Sequence, residues 1–420
     1  MLAGTLPADF ADNGERSTAR GAIHAAPGRH LTESVRRFGT YARCKQAIRT
    51  SLTITGRPVP DNARMQSSKV RVAVIFGGRS AEHEVSCRSA ASVFRFLDRS
   101  RYEVTPIRIT RDGRWQVGVD TGPETADAIV SGAAYPDDGR SLPGSLSDAL
   151  DALATVDAAF PVMHGPYGED GTTQALLDLA GVPYVGSGVL ASAASMDKEF
   201  TKKIVAAEGI AVADGVVIRE DDGDDIGPED RARLGLPVFV KPSCSGSSVG
   251  VSRVDDWADL PRAVRHAREH DTKVLIEVAV VGREVDLAVL QNPDGTIEVG
   301  PALEINLKSS EGFFDFDAKY TSGMVEFRIP AELDPAHLEL LSDAARRSFK
   351  ALGCAGLLRV DFFLAEIDGE AVPVLNEVNT LPGFTELSQF PQMWRAAGVE
   401  YPELLDRLFA TALAAGARRS

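Results

Sequence analysis

Arg359, Asp361, Glu377 and Asn379 are polar residues set in two apolar runs, GLLRVDFFLA (356–365) and AVPVLNEVNT (371–380). Both runs have strand composition, β-branched or aromatic and bounded by Gly, Asp or Pro. A carboxylate buried in such a run needs a partner, because leaving it unpaired costs several kcal/mol. Glu377 and Asn379 are two apart, so on a strand they face the same way. If the two runs pair as a hairpin, Asp361 joins them and Arg359 shares its face. Three hard oxygen donors with few other protein ligands suit magnesium, which keeps waters and completes its shell from substrate phosphates. The alternative from these residues alone is a pair of polar-faced surface strands.

Other segments carry weaker signals. SCSGSSVGVS (243–252) lies between two predicted strands, and its small residues let consecutive N–H groups approach a phosphate. Lys241, just before it, would neutralise phosphate charge. The lysine precedes the glycines and no helix follows directly, so this is not a GxxxxGK[ST] loop, and a flexible hairpin loop fits as well. Gly77-Gly78 lack the full GxGxxG of a dinucleotide site. Glu82 and His83 fall in the first turn of the next predicted helix. Glu82 there either grips an ammonium group or answers the helix dipole. HGPYGEDGT (164–172) is a turn-rich loop after a strand, where ligand sites of α/β sheets lie, and His164 is a ligand contact or a loop histidine. SSEGFFDFDAKY (309–320) reads as a long lid or a surface excursion, carrying Lys319 and Tyr320. NTLPGFTELS (379–388) turns at Pro-Gly, where the Gly383 N–H can point at a developing oxyanion.

The elements that must position these residues alternate. VRVAVIF (70–76), YEVTPIRI (102–109) and VDAAFPVM (156–163) are predicted strands, with helices over EHEVSCRSAASVFRFL and TTQALLDLAG (172–181). Between the second and third strands, a Gly-, Pro-, Asp- and Ser-rich segment predicts a hairpin and a variable loop. This is an open parallel α/β domain over 69–187. A second unit, 188–285, mixes helices at 198–209 and 257–270 with antiparallel strands at 216–218, 236–242, 272–280 and 283–290. EDDGDDIGPED (220–230) reads as a solvated acidic loop. A third unit, 286–415, holds the two opening runs, a long helix over 337–353 and a terminal helix. Residues 1–68 are expected to form a disordered extension, and its first 64 residues carry ten basic and five acidic side chains. The expectation is that Met65 is the natural start or that the extension is dispensable.

The chain has 420 residues, 44% hydrophobic and 25% charged, which implies a globular protein of two or three domains. A net charge of −15 argues against nucleic acid as partner. Four scattered cysteines, without a CxxC pair, imply reduced thiols and a cytoplasmic location. No apolar stretch approaches the length of a membrane span.

Taken together, FGGRSAEHEVS (76–86), MHGPYGEDGT (163–172), YVGSGVLASAASMDK (184–198), FVKPSCSGSSVG (239–250), FFDFDAKY (313–320), LGCAGLLRVDFF (352–363) and LNEVNTLPGFT (375–385) resemble the D-alanine–D-alanine ligases of the ATP-grasp superfamily. The match spans about 70–412. The resemblance implies an ATP-grasp fold behind the N-terminal α/β domain, and ATP-dependent joining of two D-alanines through D-alanyl phosphate for peptidoglycan. It implies that Glu82 holds the first substrate's ammonium and that Ser247, Glu284 and Tyr320 close over the amino-acid site. Lys198, Lys241 and Lys319 would contact phosphates. Glu277 and the backbone near Val280 would take adenine, with Glu284 near the ribose. Asp361, Glu377 and Asn379 would bind two Mg2+, with Mn2+ as a substitute. Arg359 and Gly383 would stabilise the oxyanion, and Ser388 would receive the second D-alanine's carboxylate. The family is commonly a homodimer.

The chain departs from the family pattern at Cys244-Ser245, Val278-Ala279, Phe314 and Phe316. The phenylalanines remove hydroxyls from the lid but leave Lys319-Tyr320, the pair that separates dipeptide-forming members from D-alanyl-D-lactate-forming relatives. The alternatives are therefore a D-alanine–D-lactate ligase and, in another class, an ATP-binding homologue without turnover.

Overall fold

The computed structural model describes residues 69–131, 145–307 and 325–419. The extension expected for 1–68 and the segment carrying Phe314, Phe316, Lys319 and Tyr320 lie outside the described residues.

The first layer contains β1 (Val70–Gly77), α1 (His83–Phe96), β2 (Tyr102–Ile109), β3 (Trp115–Val117), α2 (Pro123–Ser131), α3 (Leu146–Leu153), β4 (Ala158–Val162) and α4 (Thr172–Ala180). Sheet order is β3-β2-β1-β4; β1 is parallel to β2 and β4, and β3 closes an antiparallel hairpin. The apolar run of β1 is continuous because both its faces are covered. Val72, Val74 and Phe76 share a core with Phe94 of α1, while Ala73 and Ile75 pack with Leu153 of α3 and Leu177 of α4. The expected hairpin is present, but α2 and α3 occupy much of the segment read as loop. Ser145 and Asp148 form a reciprocal capping box that starts α3.

The second layer contains α5 (Val189–Met196), α6 (Lys198–Ala207), β5 (Ala211–Val212), β6 (Gly215–Ile218), α7 (Pro228–Leu234), β7 (Val238–Pro242), β8 (Ser252–Val254), α8 (Leu260–Arg268) and β9 (Val274–Val278). Strands β6-β9-β7-β8 form an antiparallel sheet. Leu260, Ala263, Val264 and Ala267 recur at helical spacing on α8 and meet Val238, Val240, Val274 and Ile276. The opposite sheet face carries Phe239, Lys241 and Glu277. The acidic stretch 220–230 is less of a free loop than its composition suggests. Asp224 pairs with Arg265 and Arg268, Asp225 pairs with Arg231, and Pro228 opens α7.

The third layer holds β10 (Gly282–Gln291), β11 (Ile297–Val299), β12 (Leu303–Leu307), β13 (Val325–Arg328), α9 (Pro335–Ala351), β14 (Leu357–Ile367), β15 (Glu370–Asn379), α10 (Gln389–Ala396) and α11 (Tyr401–Arg419). Its sheet order is β13-β12-β10-β14-β15-β5, with β11 also on β10. Val285, Leu287, Val360 and Phe362 face α9, through Leu341, Ala345 and Phe349, and Val205 of α6 joins that core. Helices α5 and α6 thus pack under the third sheet, and β10 runs across position 285. Helix α11 returns to the first layer, where the Phe409 ring lies 5.3 Å from Tyr102 and 6.1 Å from Phe160. No helix among the described residues is long and apolar enough to cross a membrane.

Candidate active site

The three layers surround a cleft of about 1170 Å³. Its floor is the polar face of β10, β14 and β15. The antiparallel register sets Asp286 opposite Asp361, Asp361 opposite Glu377, and Arg359 opposite Asn379. One extra residue, Asn376, is left unpaired where the register shifts beside Asp361 and Phe362. That bulge lets Asn376 and Glu377 both line the cleft. The hairpin expected from the sequence is therefore formed, with Arg359, Asp361, Glu377 and Asn379 on one face.

Arg359 donates to both oxygens of Asp361, Nε to Oδ1 and a terminal nitrogen to Oδ2, each at 2.7 Å. Asn379 Nδ2 donates to Asp361 Oδ2 at 3.1 Å. Lys198 Nζ is 3.5 Å from Glu377 Oε2. Burial works against the Arg359 charge, but Asp361, Asp286 and Glu377 outweigh it and hold its pKa above the ordinary arginine value. The donor set fits magnesium, since two carboxylates and an amide supply hard oxygens at the wall of an open cleft.

Across the cleft, Lys241 and Glu277 project from the second sheet. Glu277 is 2.5 Å from Lys241 Nζ and 2.7 Å from Lys202 Nζ. Burial opposes the Glu277 charge, but the two lysines outweigh it and bring its pKa to about 2. Two cations therefore hold the carboxylate that the sequence leads one to expect beside adenine. Lys241 also lies 3.4 Å from Asn376 Oδ1. Lys198 Nζ donates to the Ser245 carbonyl at 2.6 Å, tying α6 to the glycine-serine loop. Val280 and Glu284 line the same cleft.

Within the loop, Ser247 and Ser248 adopt positive φ of 52° and 57°, a region where serine is uncommon and which marks a backbone held by its surroundings. Ser247 Oγ donates to Glu82 Oε1 at 2.5 Å. Ser247 thus meets Glu82, in addition to the grouping with Glu284 and Tyr320 expected from the sequence. Glu82 stands at the N-terminus of α1 and lines the cleft.

The opposite rim is the loop after β15. Both backbone groups of Leu381 are held by the first layer. Its N–H donates to Glu169 Oε1 at 2.9 Å, and its carbonyl accepts from His164 Nδ1 at 2.9 Å. Ser89 Oγ faces His164 Nε2 at 3.1 Å. Burial lowers the His164 pKa, so the ring is neutral and its partners fix the tautomer. Gly383 and Ser388 face each other on the cleft wall. Ser388 Oγ accepts from the Thr385 N–H at 3.0 Å and lies 2.8 Å from the Thr385 hydroxyl. Lys319 and Tyr320 lie outside the described residues.

Family models place this geometry. Residues 71–187 match the D-ala D-ala ligase N-terminus, and residues 204–410 match the D-ala D-ala ligase C-terminus. The chain belongs to the D-alanine–D-alanine ligase family. The family comprises ATP-dependent ligases, and the chain shares their ATP-grasp fold. A D-alanine–D-alanine ligase of Mycolicibacterium vanbaalenii is 51% identical over 369 residues, covering 83% of this chain and 99% of that protein. One of Nocardia farcinica is 50% identical over 364 residues, with the same shares covered. Among solved structures, the VanG D-Ala:D-Ser ligase of Enterococcus faecalis has a TM-score of 0.69 at 37% identity, covering 82% of this chain and all of that one. The Bacillus anthracis D-alanine–D-alanine ligase complexed with ATP has a TM-score of 0.64 at 30% identity, covering 84% and all.

Three cleft residues of this D-alanine–D-alanine ligase family member were not singled out from the sequence. Glu169 accepts from Gly165 and Leu381 N–H groups, and burial, with help from Glu82, pushes its pKa up to about 8. Its signal was the GED step of MHGPYGEDGT. Lys202, one helical turn after Lys198, was legible as a lysine on the same helix face. Asp286 was legible only as an acid breaking the apolar run REVDLAVL.

Proposed function

We propose that the chain joins two D-alanines into D-alanyl-D-alanine, at the expense of ATP, for peptidoglycan synthesis. The carboxylate oxygen of the first D-alanine attacks the terminal phosphorus of ATP, forming D-alanyl phosphate and releasing ADP. The free amine of the second attacks the acyl carbon, the C–O bond to phosphate breaks, and the amine's proton is lost. The observation that carries this reading is the facing of two groups across one cleft. One is Arg359, Asp361, Glu377 and Asn379 on β14 and β15; the other is Lys198, Lys241 and the loop at 243–250.

In this reading Asp361, Glu377 and Asn379 would hold two Mg2+, or Mn2+ in their place, which would neutralise charge on the phosphates. Lys198, Lys241 and Lys319 bind phosphate oxygens by charge. Glu277 orients Lys241 and meets adenine at its edge, while the Val280 backbone and Glu284 take the rest of the nucleoside. Glu82, with Ser247 and Tyr320 closing over it, holds the first ammonium. Arg359 and the Gly383 N–H donate to the oxyanion of the tetrahedral intermediate. Ser388, beside Gly383, receives the acceptor carboxylate.

In the same reading the chain divides into an α/β substrate domain over 69–187, a central ATP-grasp unit over 188–285 and a C-terminal ATP-grasp unit over 286–415, with β5, α5 and α6 packed on the third sheet. The same reading places a homodimer in the cytoplasm. The test measures ADP release and product with D-alanine, D-lactate and D-serine across pH. The expected result is ADP release that requires D-alanine and yields dipeptide. ATP binding without such release would favour the non-catalytic homologue, and depsipeptide as main product would favour the lactate ligase.

A further inference from the structure

Asp286 is almost fully buried, at 1% exposure, on the strand next to β14. Its Oδ2 accepts from Gln389 Nε2 at 3.0 Å and lies 3.6 Å from Arg359 Nε. Arg359 therefore stands between two carboxylates, bonded twice to Asp361 and close to Asp286. These two acids differ in what else they can do. Asp361 shares its face with Glu377 and Asn379 and belongs to the metal-type donor set. Asp286 is one strand further from Glu377 and is engaged by the residue following Ser388.

A divalent cation held by Asp361 would compete with Arg359 for its carboxylate. A guanidinium that loses a bidentate partner in a buried site must find another carboxylate or leave. Asp286 is within one side-chain adjustment of that role. We propose that Asp286 is a positioning residue that keeps Arg359 in the cleft when metal takes Asp361, and that ties Arg359, through Gln389, to the acceptor end. The proposal rests on the ligase reading above, because it assumes that metal occupies Asp361 and that Arg359 faces the reacting carbon.

The experiment uses the full chain and titrates Mn2+ by electron paramagnetic resonance in the presence of ADP, for wild type, D286N, R359A and the double variant. Asparagine keeps an oxygen for Gln389 and removes only the charge. D286N is expected to weaken Mn2+ binding about tenfold in the wild-type background and less than twofold when Arg359 is absent, since the effect acts through the arginine. Equal losses in both backgrounds would show Asp286 acting as a plain negative charge, and would overturn the proposal. Turnover gives a second readout: at saturating Mg2+, D286N should lower kcat about tenfold, and an unchanged kcat would count against it. A measurement on wild type alone covers the case of a variant that fails to fold. The Arg359 Nε–H resonance should stay protected from solvent exchange when Mg2+ and ADP are added, and loss of protection would overturn the proposal. Wild-type ADP release with D-alanine is assayed in the same preparation. Its absence sinks the ligase reading, while the binding and exchange measurements, which need only metal and ADP, judge Asp286 separately.

Discussion

At the scale of single residues, the cleft floor is a balance of charge. Asp286, Asp361 and Glu377 are set side by side on three strands, and among the described residues Arg359 and Lys198 lie within ion-pair distance of them. Removing one charge changes what the others can hold. E377Q keeps the shape and one oxygen donor but deletes the charge that faces Lys198. It is expected to abolish magnesium-dependent phosphoryl transfer, measured as ADP release, and near-normal turnover at ordinary magnesium would refute its role as a ligand. R359A should lower kcat by roughly 100-fold, the scale for loss of one oxyanion donor. A loss confined to ATP affinity would instead make Arg359 a nucleotide residue. The types of these residues were legible in the sequence because charged groups in apolar runs demand an explanation. Their pairings were not, since Glu277 shows no mark in sequence that two lysines will close on it.

At the scale of elements, what the sequence made plain was periodicity, and what it hid was register. The strands and the helix over Thr172–Ala180 follow from apolar runs and the stop at Gly181, which takes φ of 68°. The bulge at Asn376 was hidden, because alternation assigns Asn376 to the face opposite Glu377, whereas the register shift gives both to the cleft. Helices α2 and α3 were hidden by turn-forming composition, although Ser145 and Asp148 spell a capping box. Two glycines separate local conformation from packing. A Cβ on Gly181 meets nothing within 4 Å, so Gly181→Ala should cost about 1 kcal/mol from its left-handed backbone alone. A Cβ on Gly77, at φ of 90°, would lie 2.2 Å from the Ile109 carbonyl oxygen. Gly77→Ala should therefore cost more than about 2 kcal/mol, because strain and clash add. It should also displace the turn that carries Glu82. Urea unfolding of both variants checks the ranking; equal losses would mean that the β1–α1 turn relaxes freely.

At the scale of the whole molecule, the cleft rim depends on a joint between the first and third layers. Leu381 donates its N–H to Glu169, its carbonyl accepts from His164, and Ser92 donates to Glu386. No sequence pattern announces this joint, since its partners are some two to three hundred residues apart and half of it is backbone. It is also where pH should act. Burial raises the Glu169 pKa from an ordinary 4.5 to about 8, with Glu82 adding to the rise. Between those values the folded chain holds a proton that the unfolded chain has lost. The folded state therefore binds more protons there, and stability from this group falls as pH climbs. The contribution is complete below about pH 4.5 and gone above about pH 8. Glu169→Gln keeps a neutral side chain of the same size and cannot titrate. The difference in Tm between wild type and Glu169→Gln should shift against the wild type as pH rises from 5 toward 8. A difference that stays constant over that interval would show Glu169 already ionised in the fold, and the joint would then be held by a carboxylate accepting two N–H groups rather than by a neutral acid.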